Sequence, residues 1–234
     1  MAQQEQRVVV VTGAFGALGR QVVRSLSDDG WRVALVDAAP AAPADLAVAA
    51  PPAAVHAGID LGDAQAARVC AQAIAAAFGR IDALVNIAGG FRWQTIEAGD
   101  PGAWDQMFAM NVKTALHMSR AALPWLLASP AGAIVNVGAA AAARAGAGMG
   151  AYAAAKSGVL RLTEALAEEG KDRGLRVNAV LPGIIDTPAN RREMPQADTS
   201  RWVTPDAVAD VVGFLLSPAS RAITGAGIPV TGRL

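Results

Sequence analysis

Short apolar runs alternate with segments of helical length along most of the chain, and this alternation limits the possible fold more than any other feature. The first run, residues 7–12 (RVVVVT), is rich in β-branched side chains and is typical of a strand buried in a parallel sheet. Six similar runs follow it, at residues 31–36, 55–59, 81–87, 133–137, 175–181 and 228–230. The pattern predicts an α/β fold with a doubly wound, mostly parallel seven-stranded sheet and helices on both faces.

The length of 234 residues suits one α/β domain with a substantial core. Residues 38–54 are rich in alanine and proline, as linkers often are. However, they lie between two strands of one repeating pattern. We therefore interpret them as a surface crossover with room for a short helix, and not as a domain boundary.

Charge and hydropathy exclude several classes of function. The formal net charge is zero and no block of like charge occurs, so nothing indicates binding to nucleic acid or to an anionic membrane. No apolar run approaches the roughly 18–20 residues of a membrane span, and the amino terminus lacks the regions of a signal peptide. Cys70 is the single cysteine, and His56 and His117 lack the spacing of metal ligands. We expect a cytoplasmic protein without a metal site.

A glycine-rich turn follows the first strand and leads into a helical pattern that ends at Gly30. Glycines in this place permit a tight turn and let a pyrophosphate approach the backbone at the start of the helix. Spaced glycines alone are a weak signal, and their position between strand and helix is what gives them meaning. The turn residues that we expect to line a dinucleotide are Gly13, Phe15, Gly16, Ala17, Leu18 and Gly19.

Asp37 ends the second strand. A carboxylate there can accept hydrogen bonds from the ribose hydroxyls of adenosine and would repel a 2′-phosphate. No arginine follows it directly. The alternative is an ordinary loop carboxylate, but the glycine turn upstream favours the ribose role and hence NAD(H) over NADP(H).

Several other segments with small or polar residues also come directly after strands, where open α/β sheets bind ligands. Beside one of them, Phe91 and Trp93 either stack on a planar ligand or cover the core. Together these segments predict one nucleotide crevice, formed by residues 13–19, 37, 60, 86–90, 138–139 and 182–187.

Tyr152 and Lys156 are four residues apart in a helical pattern over residues 149–162, so they share one face. A free tyrosine has a pKa of about 10. A nearby ammonium favours the phenolate and would make the hydroxyl a better acid or base near neutral pH. An isolated pair of this kind is more often part of a solvated face, and the rest of the crevice is what favours proton transfer.

These segments together resemble the short-chain dehydrogenase/reductase family over essentially the whole chain. The motifs are TGAFGALG, DLGD, NIAG, Asn111, YAAAK and VNAVLPGIIDT, in the family's order. The resemblance implies an NAD(P)-dependent oxidoreductase with one Rossmann domain over residues 1–234 and a substrate loop at residues 184–203. It also implies a homodimer or homotetramer that pairs the long helices near residues 104–127 and 149–170.

The resemblance also implies roles for single residues. Tyr152 donates or accepts the proton, Lys156 lowers its pKa and binds the nicotinamide ribose, and Asn111 helps to hold a water that relays protons. The implied cofactor contacts beyond the glycine turn and Asp37 are Asp60, Leu61, Asn86, Ala88, Gly89, Tyr152, Lys156, Pro182, Gly183, Ile185 and Thr187. The implied substrate contacts are Gly90, Trp93, Ala139 and Met149.

Two positions depart from the family pattern. The family places a serine thirteen residues before the tyrosine, where its hydroxyl orients the substrate carbonyl, but this chain has Ala139. Losing one such donor can cost about a hundredfold in rate, and we expect neither Ser129 nor Ser157 to replace it. Ala17 stands where the family's middle glycine is usual, and Gly16 beside it can partly compensate.

The missing serine and the loop sequence LPGIIDTPANRREMPQADTSRW resemble the quinonoid dihydropteridine reductase branch of the family, which uses NADH. A quinonoid dihydropterin gains aromatic character on reduction, so it needs less oxyanion stabilisation than a ketone, and its flat ring suits stacking by Trp93 or Phe91. In this loop Asp186, Arg191 and Met194 either serve the substrate or only fold the loop over the core. The alternatives are an alcohol or carbonyl oxidoreductase (3-oxoacyl-type or ketone) and a non-catalytic NAD-binding protein.

Overall fold

A computed structural model describes residues 6–47 and 54–233. The interpretations of residues 1–5 and of residues 48–53 in the crossover lie outside these ranges. The strands are β1 (Val8–Thr12), β2 (Arg32–Val36), β3 (Val55–His56), β4 (Ala83–Asn86), β5 (Ala133–Val137), β6 (Arg176–Pro182) and β7 (Gly227–Val230). They form one sheet in the order β3-β2-β1-β4-β5-β6-β7, and all its pairings are parallel.

Helices connect the strands and cover both faces of the sheet, as expected for a parallel sheet. They are α1 (Ala17–Asp28), α2 (Ala44–Ala47), α3 (Ala64–Phe78), α4 (Gly102–Phe108), α5 (Thr114–Ala128), α6 (Gly150–Gly170), α7 (Pro188–Glu193) and α8 (Pro205–Leu216). The predicted doubly wound α/β fold in a single domain is confirmed. The strand order reverses between β1 and β4, which is the place where such sheets form a ligand crevice.

The central strands are buried on both faces. Every residue of β1 and of β5 is buried, and this explains why these segments are continuous apolar runs without alternation. Two of the helices begin at residues whose side chains cap them. The Asp63 carboxylate accepts from the backbone N–H of Gln65 at the start of α3, and the Thr204 hydroxyl accepts from that of Ala207 at the start of α8.

The third strand is shorter than the sequence predicts. It ends at His56, because the chain turns at Gly58, where φ is 71°. The backbone N–H groups of Gly58 and Ile59 then donate to the carbonyls of Ala39 and Asp37, at 2.8 and 2.9 Å. The loop that follows is thereby held beside the end of β2.

The long helical stretch predicted near residues 104–127 is interrupted by a π-helical turn. The turn spans Ala109–Lys113 and joins α4 to α5. A π turn inserts one residue into a helix and is frequent at functional sites. Asn111 lies at its centre, and its side chain is buried. Hydrophobic periodicity over so few residues cannot reveal such an insertion.

Candidate active site

A cleft of about 830 Å³ lies at the carboxyl ends of the strands. Its volume is in the range of small-molecule and cofactor sites. Residues from five separate segments of the predicted crevice line it: Gly13, Gly16, Ala17, Leu18, Gly19, Asp37, Asp60, Leu61, Ala88, Gly89 and Thr187. The structure therefore brings together most of the cofactor contacts expected from sequence.

The glycine turn is packed too tightly for side chains at two of its positions. Gly13 has a φ of 64°, and a Cβ on it would lie 2.8 Å from the backbone nitrogen of Ala88. A Cβ on Gly19 would lie 2.0 Å from the Gly13 carbonyl oxygen. The turn thus lies directly against the end of β4, and its residues Gly16 and Ala17 line the cleft at the start of α1.

Asp37 is held in a fixed orientation beside this turn. One carboxylate oxygen accepts from the backbone N–H of Phe15 and the other from that of Ala39, both at 2.9 Å. Each oxygen keeps a lone pair for a further donor. The Phe15 side chain itself is buried in the core, so Phe15 serves the crevice through its backbone.

Asn86 has its side chain in the core and is not among the residues that line the cleft. Its Nδ2 donates to Ser119 Oγ and to Asn136 Oδ1, each at 2.9 Å. Within the described residues, its Oδ1 is buried and has no hydrogen-bond partner. Asn136 donates in turn to Thr163 of α6 at 2.9 Å. This buried chain of polar groups ties β4, β5, α5 and α6 together.

Tyr152 and Lys156 both lie on α6, as predicted. Lys156 is buried, and its Nζ donates to the carbonyl oxygen of Val137 at 2.8 Å. That carbonyl is at the end of β5, so the bond fixes α6 against the carboxyl edge of the sheet. The Nζ is 5.8 Å from the centroid of the Tyr152 ring.

The pKa of Tyr152 differs in direction from the expectation. Burial raises it to about 12, and burial also lowers the pKa of Lys156 to about 8. Because both groups are desolvated and the ammonium is directed to Val137, its attraction does not offset the loss of water around the phenol. Tyr152 is therefore protonated at neutral pH, the form that a proton donor requires.

Asn111 joins the end of β4 to the π turn. Its Nδ2 donates to the carbonyls of Gly90 and Met107 at 3.1 and 3.0 Å, and its Oδ1 accepts from the Gly90 N–H at 3.3 Å. A Cβ on Gly89 would lie 2.5 Å from Asn111 Oδ1 and 3.6 Å from Lys156 Nζ. The side chains of Asn111 and Lys156 therefore both lie close to Gly89.

The aromatic residues of the next loop have different positions. Phe91 packs on Tyr152 with perpendicular rings and centroids 4.9 Å apart. Trp93 instead links two loops. Its Nε1 donates to the Ala147 carbonyl at 3.0 Å, and its indole leaves no room for a Cβ on Gly148, which would come within 2.2 Å. Phe91, and not the predicted substrate contact Trp93, is thus the aromatic residue that packs on Tyr152.

The other three predicted substrate contacts are not among the residues that line the cleft. Ala139 is buried and directly precedes a short 3-10 turn, Ala140–Ala142. Gly90 is covered by Met110, whose Sδ would be 2.2 Å from a Cβ on it. Met149 directly precedes α6.

Neither Ser129 nor Ser157 takes the place of the missing hydroxyl. Ser129 Oγ donates to the Asp82 carboxylate at 2.6 Å, and Asp82 pairs with Arg80 at the amino end of β4. Ser157 Oγ donates to the Ala142 carbonyl at 2.7 Å. Both hydroxyls are thus engaged elsewhere, as the sequence led us to expect.

Two residues of the segment 184–203, Thr187 and Ala189, line one side of the cleft. Thr187 lines the cleft and accepts from the backbone N–H of Asn190 at the start of α7. Pro182 ends β6, and the N–H of Gly183 donates to the Val230 carbonyl. The Ile185 carbonyl accepts from Asn190 Nδ2 at 2.7 Å, so local bonds hold this segment.

Asp186 and Arg191 pair within the same segment, through two hydrogen bonds of 2.5 and 2.7 Å. The pairing lowers the pKa of Asp186. This bidentate contact holds the loop in its folded conformation.

Sequence reasoning missed one wall of the cleft. Four residues of α4, the π turn and α5 line it: Gln106, Ala109, Met110 and Thr114. Thr114 is three residues after Asn111, so helical spacing from that asparagine was an available signal. The π turn shifts this spacing, which is why the full set could not be read from the pattern.

None of the helices in residues 6–47 and 54–233 is long and apolar enough to cross a membrane. The same described residues contain no group of three histidine, cysteine or carboxylate side chains arranged to hold a metal ion.

Comparison with known proteins places this geometry in a family. The family model for short chain dehydrogenases matches residues 7–198. The chain is 34% identical to D-threitol dehydrogenase of Mycolicibacterium smegmatis, over 97% of this chain and 92% of that protein. It is 30% identical to a 3-oxoacyl-[acyl-carrier-protein] reductase of Staphylococcus aureus, over 95% and 96%.

A solved structure agrees with these relatives. The 3-ketoacyl-(acyl-carrier-protein) reductase of Brucella melitensis complexed with NADH superposes with a TM-score of 0.86 at 28% identity, and the match covers 98% of each chain. Sequence, fold and comparisons lead to one conclusion: the chain belongs to the short-chain dehydrogenase/reductase family and is an oxidoreductase.

Proposed function

We propose that the protein transfers hydride between NAD(H) and a small planar substrate, with Tyr152 as the proton donor. The packed turn at Gly13 and Gly19 fits a pyrophosphate, and the oriented carboxylate of Asp37 fits a ribose diol. The family relation and the NADH in the Brucella melitensis neighbour support the same cofactor. NADH, when bound, supplies the hydride.

A preference for NAD(H) over NADP(H) follows from the charge at the adenosine end. Asp37 would repel a 2′-phosphate, and no lysine or arginine is among the described residues that line the cleft. A 2′-phosphate would therefore meet an anion without a compensating cation.

Three side chains of this chain carry the proton transfer. Tyr152 gives its hydroxyl proton to the substrate atom that becomes negative as hydride arrives, and Lys156 stabilises the phenolate that remains. Asn111 holds the end of β4 against the π turn. We propose that Asn111 also helps to place a water through which the phenolate regains its proton.

The observation that carries the substrate proposal is Ala139, together with the engaged hydroxyl of Ser157. A ketone would become an alkoxide without a hydroxyl donor at this position. A quinonoid dihydropteridine needs less such help, because reduction restores aromatic character in the ring. Phe91 against Tyr152 adds an aromatic wall that suits a flat ring.

The direct test is NADH consumption at constant pH, with quinonoid dihydropterin generated in the assay and the nonenzymatic rate subtracted. Turnover well above that rate is expected, and Tyr152→Phe should lower it at least a hundredfold while NADH still binds. Unchanged turnover of Tyr152→Phe would remove the proton-donor role.

An alcohol or carbonyl substrate is the second candidate, favoured by the relatives named as a threitol dehydrogenase and a 3-oxoacyl reductase. Here Ala139→Ser should raise ketone reduction, by about tenfold or more, because it restores an oxyanion donor. No gain, together with turnover of the dihydropterin, favours the pteridine substrate. NADH binding without turnover of either class would favour a non-catalytic NAD-binding protein.

We also propose that the protein is a cytoplasmic homo-oligomer. Trp104, Phe108 and Leu116 of α4 and α5 are 42%, 47% and 39% exposed. Such large apolar side chains on neighbouring helices suit contact with a second copy. They lie within the helices that the family resemblance assigns to this contact.

A further inference from the structure

One side chain of α5 reaches the adenosine end of the cleft. His117 Nδ1 is 2.9 Å from the carbonyl oxygen of Leu61, 56 positions earlier in the chain. A carbonyl only accepts, so Nδ1 must carry the hydrogen of this bond. Nδ1 is protonated in one neutral tautomer and in the imidazolium ion alike, so the contact does not depend on the charge of the ring.

The bonded carbonyl lies in the loop whose start is held beside β2 by the backbone bonds of Gly58 and Ile59. Asp60, Leu61 and Gly62 line the cleft between β3 and α3. Asp60 Oδ1 accepts from the Gly62 N–H at 2.8 Å, a bond inside the loop. Within residues 6–47 and 54–233, His117 is the one side chain from another element that hydrogen-bonds to this loop. The Leu61 side chain is buried, so core packing and His117 together fix the Leu61 peptide.

We propose that His117 is a positioning residue for the adenosine half of the cofactor. By holding the Leu61 carbonyl, it sets the position of the cleft edge formed by residues 60–62. This inference rests on the proposed NAD(H) site. The π turn that carries Asn111 continues directly into α5, so one helix sets both ends of the cleft.

The test compares His117→Leu, which removes the donor, with His117→Asn, whose Nδ2 is attached to Cγ as the ring Nδ1 is. Binding of ADP-ribose and of reduced nicotinamide mononucleotide is measured by calorimetry. His117→Leu should weaken ADP-ribose binding about five- to tenfold, the loss of one hydrogen bond. The mononucleotide should bind as before, and His117→Asn should restore most of the lost affinity.

Steady-state kinetics provide a second readout. In His117→Leu the KM for NADH should rise more than kcat falls, because the reacting end of the cleft keeps its contacts. Equal weakening of ADP-ribose and the mononucleotide, or His117→Asn behaving like His117→Leu, would overturn the positioning role. If His117→Leu does not fold, His117→Gln, whose amide lies one methylene farther out, replaces it in the same comparison. Failure of the wild-type protein to bind ADP-ribose would instead overturn the proposed cofactor.

Discussion

The buried charge of Lys156 in the candidate active site lowers the stability of the folded protein. Its side chain is buried and makes one hydrogen bond, to Val137. The fall of its pKa from 10.5 to about 8 corresponds to roughly 3 kcal/mol against folding at neutral pH. A group of the same length without charge would avoid this cost.

We therefore predict that Lys156→Met raises the free energy of unfolding at pH 7 by about 1–3 kcal/mol, since about 1 kcal/mol is lost with the Val137 bond. Activity should fall sharply in the same variant. Urea unfolding followed by circular dichroism gives the stability, and NADH consumption gives the activity.

The sign of the pH dependence provides the check. Between pH 8 and about 10, the unfolded chain binds more protons at Lys156 than the folded one, so wild-type stability should rise with pH. Lys156→Met should lack this rise, so the difference in unfolding free energy between the variant and the wild type should become smaller as the pH increases. Above pH 10 the raised pKa of Tyr152 acts in the opposite direction. If the difference in unfolding free energy between the two proteins stays constant from pH 7 to 9.5, the lowered pKa of Lys156 is contradicted.

At the scale of elements, the contact between the two loops beside α6 requires a glycine at position 148. Gly148 has a φ of 72°, and the Trp93 indole occupies the space of its Cβ. Gln94 N–H also donates to the Gly148 carbonyl at 2.9 Å. The packing of Trp93 on Gly148 thus holds together the two loops that flank Tyr152.

We predict that Gly148→Ala destabilises the protein by more than the 1–2 kcal/mol of a left-handed alanine, because Trp93 must also move. Gly30→Ala is the matched control, since Gly30 has a φ of 82° with open space around it. Thermal unfolding of both variants separates backbone strain from displacement of the indole. Equal losses in the two would show that the Trp93 contact contributes nothing.

The exposed apolar side chains of α4 and α5 lead to a prediction about assembly. Phe108→Glu should place a charge in the proposed contact with a second copy and convert the oligomer to monomers. Sedimentation velocity measures the change, with Phe214→Glu on α8 as the control, because Phe214 is similarly exposed. A wild-type protein that already sediments as a monomer is the contrary result.

At the scale of the whole molecule, the rate at which the Cys70 thiol reacts reports on global unfolding. It is the single cysteine, it is buried on the core side of α3, and burial raises the pKa of its thiol to about 11. Thiol reagents should therefore react slowly under native conditions, and the labelled fraction should follow the urea unfolding curve. Cys70→Ala provides the blank. Rapid labelling of native protein would mean that α3 opens locally.

The sheet was predictable because burial on both faces makes each strand a continuous apolar run. Asp37 and Asp60 directly follow two of those runs, and the carboxyl ends of parallel strands share one edge of the sheet, so their position in the cleft was predictable. The hydrophobic pattern could not predict features that depend on contacts between residues distant in sequence. The upward pKa of Tyr152 results from burial, and the location of Asn86 in the core results from its bonds to Ser119 and Asn136.

The π-helical turn decides which neighbour a change in helix length would affect. A π turn takes up one extra residue locally, within a wider turn of the helix. Removing a single residue from Ala109–Lys113 would therefore restore the regular bonding pattern and leave Trp104, Phe108 and Thr114 on nearly the same faces of their helices. Asn111, at the centre of the turn, would lose its position instead. A one-codon deletion here should thus damage the proposed proton relay and spare the proposed contact with a second copy.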